Sequence, residues 1–345
     1  MSEAAADTTV LVTGASGFIA AHIIIRLLEE GYRVRGTVRS IARSAHVMET
    51  IGRHADASRL TLVEADLTRD EGWDAAVAGC RYVLHVASPL PRTPPKHERE
   101  LIDPARDGTL RVLKAAARHD VARVVLTSSL AAVLYGHKRD GSEVYDEHSW
   151  SQLTDRVGAY EKSKTIAEQA AWEYHASLPA EGRFELVAVN PGLVLGPALD
   201  ADYGTSGELV RKLLKRDFPG CPDVGWAVVD VRDVADAHLA AMTVPEAAGE
   251  RFVCAVEYAS MLDVARILDR RFRDRGYKVP LRRLPGWVLK LVGVFDRTAQ
   301  LAVQELGLRQ DISNAKIRAV LDWRPRGVEE MVVAMGESLI AHGVV

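Results

Sequence analysis

A tyrosine and a lysine four residues apart, Tyr160 and Lys164, have the residue types and spacing needed for proton chemistry. Residues four apart on a helix project from one face, so a phenol and an ammonium group would meet there. Such a pair also arises by chance in structural helices. Ser129 and the two hydroxyl residues before it end a predicted strand of the same sheet. Their hydroxyls favour a catalytic group of Ser129, Tyr160 and Lys164.

A glycine-containing loop follows the first predicted strand, in the segment TGASGFIA at residues 13–20. Gly14 permits a tight turn, Gly17 lets the backbone approach a pyrophosphate, and Ala20 keeps the next helix close to the strand. The amides at that helix N-terminus would face the anion. A structural turn alone would also explain the glycines, but the strand, loop and helix context predicts a dinucleotide site. The predicted contacts in this loop are Gly14, Ser16, Gly17, Phe18 and Ile19.

The end of the second predicted strand indicates which dinucleotide is bound. NAD enzymes usually carry a carboxylate there, yet no acid occurs between Glu30 and Glu49. Arg39 could form paired hydrogen bonds to a 2′-phosphate, with Arg43 as a second cation. The alternative is that Arg39 points only to solvent. The missing carboxylate favours NADP(H) as the cofactor.

Later strand ends supply further predicted cofactor contacts. A carboxylate after the third strand could bind the adenine amino group, and small residues after the fourth would let the cofactor pass over the sheet. A proline after the sixth strand could lie beside the nicotinamide. These contacts are Asp66, Leu67, Ala87, Ser88, Thr127, Tyr160, Lys164, Pro191, Gly192 and Val194.

The elements that position these residues alternate between two periodicities. Short β-branched runs occur at 9–13, 34–38, 60–63, 82–86, 121–126 and 184–189, separated by helix-length segments such as 18–30 and 98–119. This pattern predicts an α/β, doubly wound parallel sheet (Rossmann fold) with a smaller C-terminal substrate-binding lobe. We expect residues 1–190 in the NADP-binding domain, with 226–246 returning to it as a strand and a helix. Residues 191–225 and 247–345 form the expected substrate lobe, with helices at 261–272 and 313–321.

Composition excludes several classes of function. The 345 residues carry 44 Lys and Arg against 47 Asp and Glu, so no excess positive charge favours nucleic acid. Cys80, Cys221 and Cys254 lack metal-ligand or disulfide spacing, and no histidine cluster suggests a metal. The apolar stretch 284–295 is too short to span a membrane and predicts a core or interface helix, or a cover for an apolar substrate. Without a secretion-type N-terminus, a cytoplasmic protein is expected; monomer and homodimer stay open.

Nine segments together resemble one known family. They are TGASGFIA, GTVRS, EADLT, HVASP, VVLTSSLAAV, AYEKSK, FELVAVNPGLVLGP, VDVRDVADAH and DISNAKIRAVLDWRP. The chain resembles extended short-chain dehydrogenase/reductases, in the branch of dihydroflavonol reductases and yeast-type aldehyde and ketone reductases. The resemblance places Ser129, Tyr160 and Lys164 at the family's catalytic triad and Arg39 at its NADP-selecting arginine. Ala20 replaces the family's common third glycine.

The resemblance implies reduction of a small hydrophobic carbonyl compound. Ser129 would hold the carbonyl oxygen and Tyr160 would supply a proton, with Lys164 bringing the phenol pKa towards neutrality. A nucleotide-sugar epimerase or dehydratase, a hydroxysteroid dehydrogenase and a non-catalytic NADP-sensing regulator are the alternatives. The expected substrate contacts are Ser129, Leu130, Ala131, Tyr160, Tyr203 and Trp226.

Overall fold

Two sheets organise the protein, which we describe from a computed structural model over residues 3–89, 97–138, 140–293, 303, 305–309 and 311–345. The strands are β1 (Thr9–Val12), β2 (Arg33–Val38), β3 (Leu60–Glu64), β4 (Tyr82–His85), β5 (Arg123–Thr127), β6 (Glu185–Pro191), β7 (Leu193–Leu195), β8 (Gly225–Asp230), β9 (Arg251–Cys254) and β10 (Glu257–Ser260). The larger sheet has the order β3-β2-β1-β4-β5-β6-β9, and its neighbouring strands are all parallel. The order reverses between β1 and β4, which is where open α/β sheets form a ligand crevice.

Helices cover both faces of the larger sheet. The helices are α1 (Glu3–Ala6), α2 (Phe18–Glu29), α3 (Ala45–Gly52), α4 (Trp73–Val77), α5 (Arg99–Arg118), α6 (Ala159–Ser177), α7 (Gly204–Leu214), α8 (Val231–Thr243), α9 (Met261–Phe272), α10 (Gly286–Gly293), α11 (Ala315–Leu321) and α12 (Val328–Ala341). Alternating residues of β1 show why this strand is apolar on both faces: Val10 and Val12 pack with Ile23 of α2, whereas Leu11 packs with Val112 of α5. Helices α2, α8 and α11 therefore lie on one face, and α4, α5 and α6 on the other. The predicted Rossmann-type α/β fold is confirmed.

A three-stranded sheet, in the order β10-β8-β7, packs against α7, α9 and α12 around a separate apolar cluster. Leu213, Leu268, Phe272 and Met335 are among its fully buried side chains. Helix α9 has the predicted bounds and begins at a capping box, in which Ser260 and Asp263 exchange hydrogen bonds. Within the described part of the chain, no helix is both long and apolar enough to cross a membrane.

Two strands lie in a different sheet from the one that the expected division of the chain gives them. Strand β8 was expected in the nucleotide domain but pairs with β7 and β10 in the smaller sheet, although α8 after it packs on the larger one. Strand β9 falls in the segment 247–345 expected for the substrate lobe, yet it pairs in parallel with β6. Its four residues are all buried, and burial on both faces is typical of a strand in a parallel sheet. The segment 284–295 forms α10 as far as residue 293, and its last two residues lie outside the described part.

Candidate active site

The loop after β1 has the backbone form that a close approach requires. Gly14 has a φ of +72°, and a Cβ built there would lie 3.0 Å from the Cβ of Ala87. Its N–H donates to Thr37 Oγ1 at 2.9 Å, which fixes the turn against β2. Gly17 precedes α2 without a side-chain capping bond, so the N–H groups of the first turn are open to a ligand. This arrangement can hold a pyrophosphate.

A buried threonine joins the two strand ends that flank the crevice. Thr13 Oγ1 accepts hydrogen bonds from the backbone N–H groups of Val86 and Ala87, at 3.0 and 2.9 Å. Its own proton then points to His85 Nδ1, 2.9 Å away. Burial lowers the pKa of His85 to about 3, so the imidazole is neutral. His85 therefore fixes the strand ends and does not enter the cleft as a cation.

Charged groups lie at the ends of β2 and β3. Arg39 is exposed after β2, and Asp66 follows β3. Asp66 Oδ1 accepts from the N–H and the hydroxyl of Thr68, both at 2.8 Å. The Thr68 N–H lowers the pKa of Asp66, and the nearby charges of Arg69 and Arg39 contribute to the same shift. Arg43 ends a short 3-10 helix at residues 41–43, and its side chain lies outside the described part of the chain.

Ser129 and Tyr160 meet where β5 ends and α6 begins. Ser129 precedes the 3-10 helix at residues 130–132, and its Oγ accepts from Ala131 N at 3.1 Å. Tyr160 lies in the first turn of α6, half-buried. Burial raises the pKa of Tyr160, and a hydrogen bond with Ser129 opposes that rise. Desolvation of the phenol is the larger of these two effects in the chain without cofactor.

Lys164 lies one turn further along α6, on the face that packs towards β5. Its Nζ is 3.5 Å from the carbonyl oxygen of Thr127, and 9 % of the residue is exposed. Burial lowers the pKa of Lys164 to about 8, while the nearby Glu168 carboxylate raises it. The ammonium is therefore mostly protonated at neutral pH but close to its midpoint.

These groups border one cleft of about 500 Å³ at the carboxyl ends of the strands. The predicted residues in its lining are Gly14, Ser16, Gly17, Phe18, Ile19, Arg39, Asp66, Leu67, Ala87, Ser88, Thr127, Ser129, Tyr160, Lys164, Pro191, Gly192 and Val194. A Cβ at Gly192 would lie 2.2 Å from the carbonyl oxygen of Ala227, so this glycine also permits a close backbone approach. The structure thus brings together residues that lie up to 180 positions apart in the sequence, from Gly14 to Val194.

Four expected substrate contacts lie outside the described cleft lining. Leu130 and Ala131 are each only 4 % exposed. Tyr203 donates its hydroxyl proton to Glu208 at 3.0 Å, and Trp226 packs against the core of the smaller sheet. Burial satisfies the apolar character of Leu130 and Ala131 without a ligand, whereas Tyr203 and Trp226 are only partly buried.

The cleft also contains residues that the sequence did not indicate. The start of α7 supplies Gly204, Thr205 and Ser206, and Trp73 borders the end near Asp66. Gly204 has a φ of +67°, and a Cβ there would lie 3.3 Å from that of Phe18. A glycine one position after the expected contact Tyr203 was the signal available, since positive φ favours glycine.

The fold and the cleft define a nucleotide-binding protein of the Rossmann type, and comparisons with known proteins identify its family. The model of the NAD dependent epimerase/dehydratase family matches residues 10–255. A putative anthocyanidin reductase of Ginkgo biloba is 37 % identical over 290 residues, 80 % of this chain and 83 % of that protein. Cinnamoyl-CoA reductase 1 of Petunia hybrida is 39 % identical over 278 residues, 79 % of each chain.

Solved structures agree with the family match. The yeast methylglyoxal/isovaleraldehyde reductase Gre2, solved with NADPH, is 30 % identical, with a TM-score of 0.82 over 98 % of this chain and 100 % of that one. The chain belongs to the NAD dependent epimerase/dehydratase family, among the extended short-chain dehydrogenase/reductases. It is an NADP-dependent oxidoreductase, as the sequence predicted.

Proposed function

We propose that the protein is an NADPH-dependent carbonyl reductase that converts a hydrophobic aldehyde or ketone to an alcohol. The observation that carries this proposal is the convergence of Ser129, Tyr160 and Lys164 in the same cleft as the Gly14 turn and Arg39. The names of the relatives support it, since they include cinnamoyl-CoA reductases and a methylglyoxal/isovaleraldehyde reductase.

The residues present fit NADPH. The Gly14 turn leaves no room for a Cβ beside Ala87, and the uncapped N-terminus of α2 offers N–H donors for the pyrophosphate. Arg39 would bind the 2′-phosphate, and Asp66 the adenine amino group. When bound, NADPH supplies the hydride that the carbonyl carbon accepts.

The chain's own residues then handle the oxygen and the proton. The Ser129 hydroxyl donates to the carbonyl oxygen and stabilises the negative charge that develops there. Tyr160 donates its phenolic proton to that oxygen. A phenol has an ordinary pKa of about 10, and burial raises the pKa of Tyr160 further, so the phenol is protonated at neutral pH, which is the form a general acid needs. Lys164 places its positive charge beside the phenolate that remains.

The charge distribution in the cleft favours an apolar substrate over a nucleotide sugar. Among the described lining residues, the cations are Arg39 and Lys164, and both are assigned to the cofactor and the phenol. Phe18, Pro191 and Val194 supply apolar surface. A second diphosphate would therefore lack basic partners, whereas an aryl or alkyl carbonyl compound requires none.

The test is oxidation of NADPH with a panel of aldehydes, ketones, diketones, flavonoids, steroids and nucleotide sugars. We expect turnover of hydrophobic carbonyl compounds, with NADPH preferred over NADH, and loss of turnover in Tyr160→Phe. Turnover of a nucleotide sugar alone, or a protein purified with bound NAD, would establish the epimerase alternative instead. NADPH binding without turnover of any carbonyl compound would favour the regulator.

A further inference from the structure

A buried ion pair lies behind the proposed catalytic residues and has no part in the reaction proposed above. Glu168 of α6 and Arg251 of β9 are 1 % and 8 % exposed, and Arg251 Nε lies 2.6 Å from Glu168 Oε1. Taking two charges out of water is unfavourable, and a buried pair alone is weak evidence for a gain in stability. The pair therefore calls for an explanation in terms of what it holds in place.

The Glu168 carboxylate connects α6 to three strands of the larger sheet. Besides Arg251, it accepts hydrogen bonds from Ser128 Oγ at 2.5 Å, at the end of β5, and from Asn190 Nδ2 at 2.8 Å, in β6. Asn190 Nδ2 also lies 3.2 Å from the carbonyl oxygen of Ser129. The backbone of Ser129 is thus tied, through one amide, to the helix that carries Tyr160.

The guanidinium of Arg251 is fixed on its other side by the loop before α6. It donates to the carbonyl oxygens of Glu147 and Ser149, at 2.8 and 2.9 Å, and stacks 3.6 Å above the Trp150 ring. These contacts hold the cation in place beside the Glu168 carboxylate.

The same carboxylate lies close to Lys164, while its own hydrogen bonds go to other residues. Glu168 is one helical turn after Lys164, and both border a small cavity of about 10 Å³, lined also by Ser88, Thr109 and Ser128. That volume is near the minimum for one water molecule. Glu168 directs its hydrogen bonds to other partners, so it acts on Lys164 as a nearby charge and leaves the ammonium free to face the cleft.

We infer that Glu168, held by Arg251, is a positioning residue that keeps Lys164 protonated and aligns Ser129 with α6. This inference rests on the proposed function for its meaning in catalysis. The burial of Lys164 disfavours its charge, and the Glu168 carboxylate is the group that opposes this effect.

The other groups around Lys164 do not take over this role. Tyr160 of α6 is neutral, as is His85 from β4. His238 of α8 is hydrogen-bonded to the Thr127 hydroxyl and to the carbonyl oxygen of Val234, each at 2.7 Å, and burial lowers its pKa to about 4. From α5, the cavity lining contains the neutral Thr109. Arg251 is a cation and would oppose protonation of Lys164 if Glu168 were absent.

The test measures the pKa of Lys164 directly in the cofactor-free protein. Acetic anhydride acylates the neutral amine, so the pH dependence of labelling at Lys164, read by mass spectrometry, gives its midpoint. We expect a midpoint near 8 in the unaltered protein, and a midpoint about one pH unit lower in Glu168→Gln, the size of effect that a neighbouring charge produces. The alkaline limb of kcat/KM for carbonyl reduction should move by the same amount.

Glu185→Gln is the matched control. Glu185 pairs with the buried Arg123 at 2.6 Å, at the opposite end of β5 and β6. This variant also leaves a buried arginine without its carboxylate, yet it should leave the Lys164 midpoint unchanged. An equal shift in both variants, or no shift in Glu168→Gln, would overturn the inference.

Glu168→Asp separates the effect of the carboxylate charge from that of packing, and it tests the inference if Glu168→Gln does not fold. It keeps the carboxylate but draws it back by one methylene group, so melting temperature should fall while the Lys164 midpoint stays near that of the unaltered protein. A midpoint that falls with the melting temperature would show that the role is only structural. If the unaltered protein reduces no carbonyl compound, the proposed function fails, and labelling of Lys164 still tests the inference.

Discussion

Replacing Lys164 with methionine should stabilise the protein while impairing its proposed activity. Lys164 is buried, and its pKa falls from the usual 10.5 to about 8. One pH unit is worth about 1.4 kcal/mol, so this fall corresponds to roughly 3 kcal/mol against folding when the amine is charged in both states. Met fills a similar volume without a charge. We expect a gain of about 1 to 3 kcal/mol at pH 7, because the variant also loses the hydrogen bond from Lys164 Nζ to the carbonyl oxygen of Thr127.

The pH dependence of this gain follows from linkage. Between pH 8 and 10.5 the unfolded chain binds a proton at Lys164 that the folded chain does not, so Lys164 makes stability rise with pH in that interval. The unfavourable contribution is complete below about pH 8 and disappears above about pH 10.5. The advantage of Lys164→Met at pH 9.5 should therefore be less than about half its value at pH 7.

Guanidinium unfolding of both proteins at pH 7 and 9.5 measures the effect. In thermal melts the gain should be about 1 to 2 °C per kcal/mol for a chain of this length. Lys162→Met is the control: Lys162 pairs with the half-exposed Glu98 at 2.7 Å, and its loss should change stability by less than about 1 kcal/mol at either pH. We infer that the buried charge of Lys164 destabilises the folded protein. A Lys164→Met protein that is less stable than the unaltered protein at pH 7, or whose gain in stability does not depend on pH, would refute this.

Three further substitutions test the proposed roles of single residues. Tyr160→Phe should lower kcat by about 10²- to 10⁴-fold with unchanged NADPH affinity and melting temperature; normal turnover by the folded variant would remove Tyr160 from the mechanism. Gly14→Ala should prevent NADPH binding, measured as loss of the protein fluorescence quenching that bound NADPH causes. Gly79→Ala has a similar φ of +73° but no atom within 4 Å of the added Cβ, so it should still bind NADPH. Equal loss of binding in both variants would count against the role of the Gly14 turn. Arg39→Ala should reduce the preference for NADPH over NADH by roughly ten- to hundredfold in kcat/KM, and an unchanged ratio would contradict 2′-phosphate recognition.

The sequence predicts the parts of this protein that depend on local pattern. Six strands of the larger sheet lie where β-branched runs occur, because burial between two layers of helices favours apolar residues on both faces of a strand. The glycine turn and the residues after the strands converge in one cleft because parallel strands end at the same edge of the sheet. The roles assigned to the individual side chains stay predictions.

Tertiary pairing decides what the sequence did not predict. Strand β8 has an apolar pattern compatible with either sheet, and only its pairing with β7 and β10 determines which one it joins. Leu130 and Ala131 are apolar residues buried in the core, so their position next to Ser129 did not imply a place in the cleft. Glu168 and Arg251 are 83 residues apart, and no local spacing indicates that they form a pair.

A common feature of the strand ends explains why the cleft has so few groups that change charge near neutrality. Thr13 and Thr127 each hydrogen-bond a buried histidine, His85 at the end of β4 and His238 of α8, and burial lowers their pKa values to about 3 and about 4 respectively. A histidine that faced the ligand with its ordinary pKa would titrate in the physiological range. Both imidazoles instead stay neutral, so they hold the threonine hydroxyls in fixed orientations at neutral pH. The charge of the cleft then varies mainly at Lys164, which is the group that the Glu168 carboxylate controls.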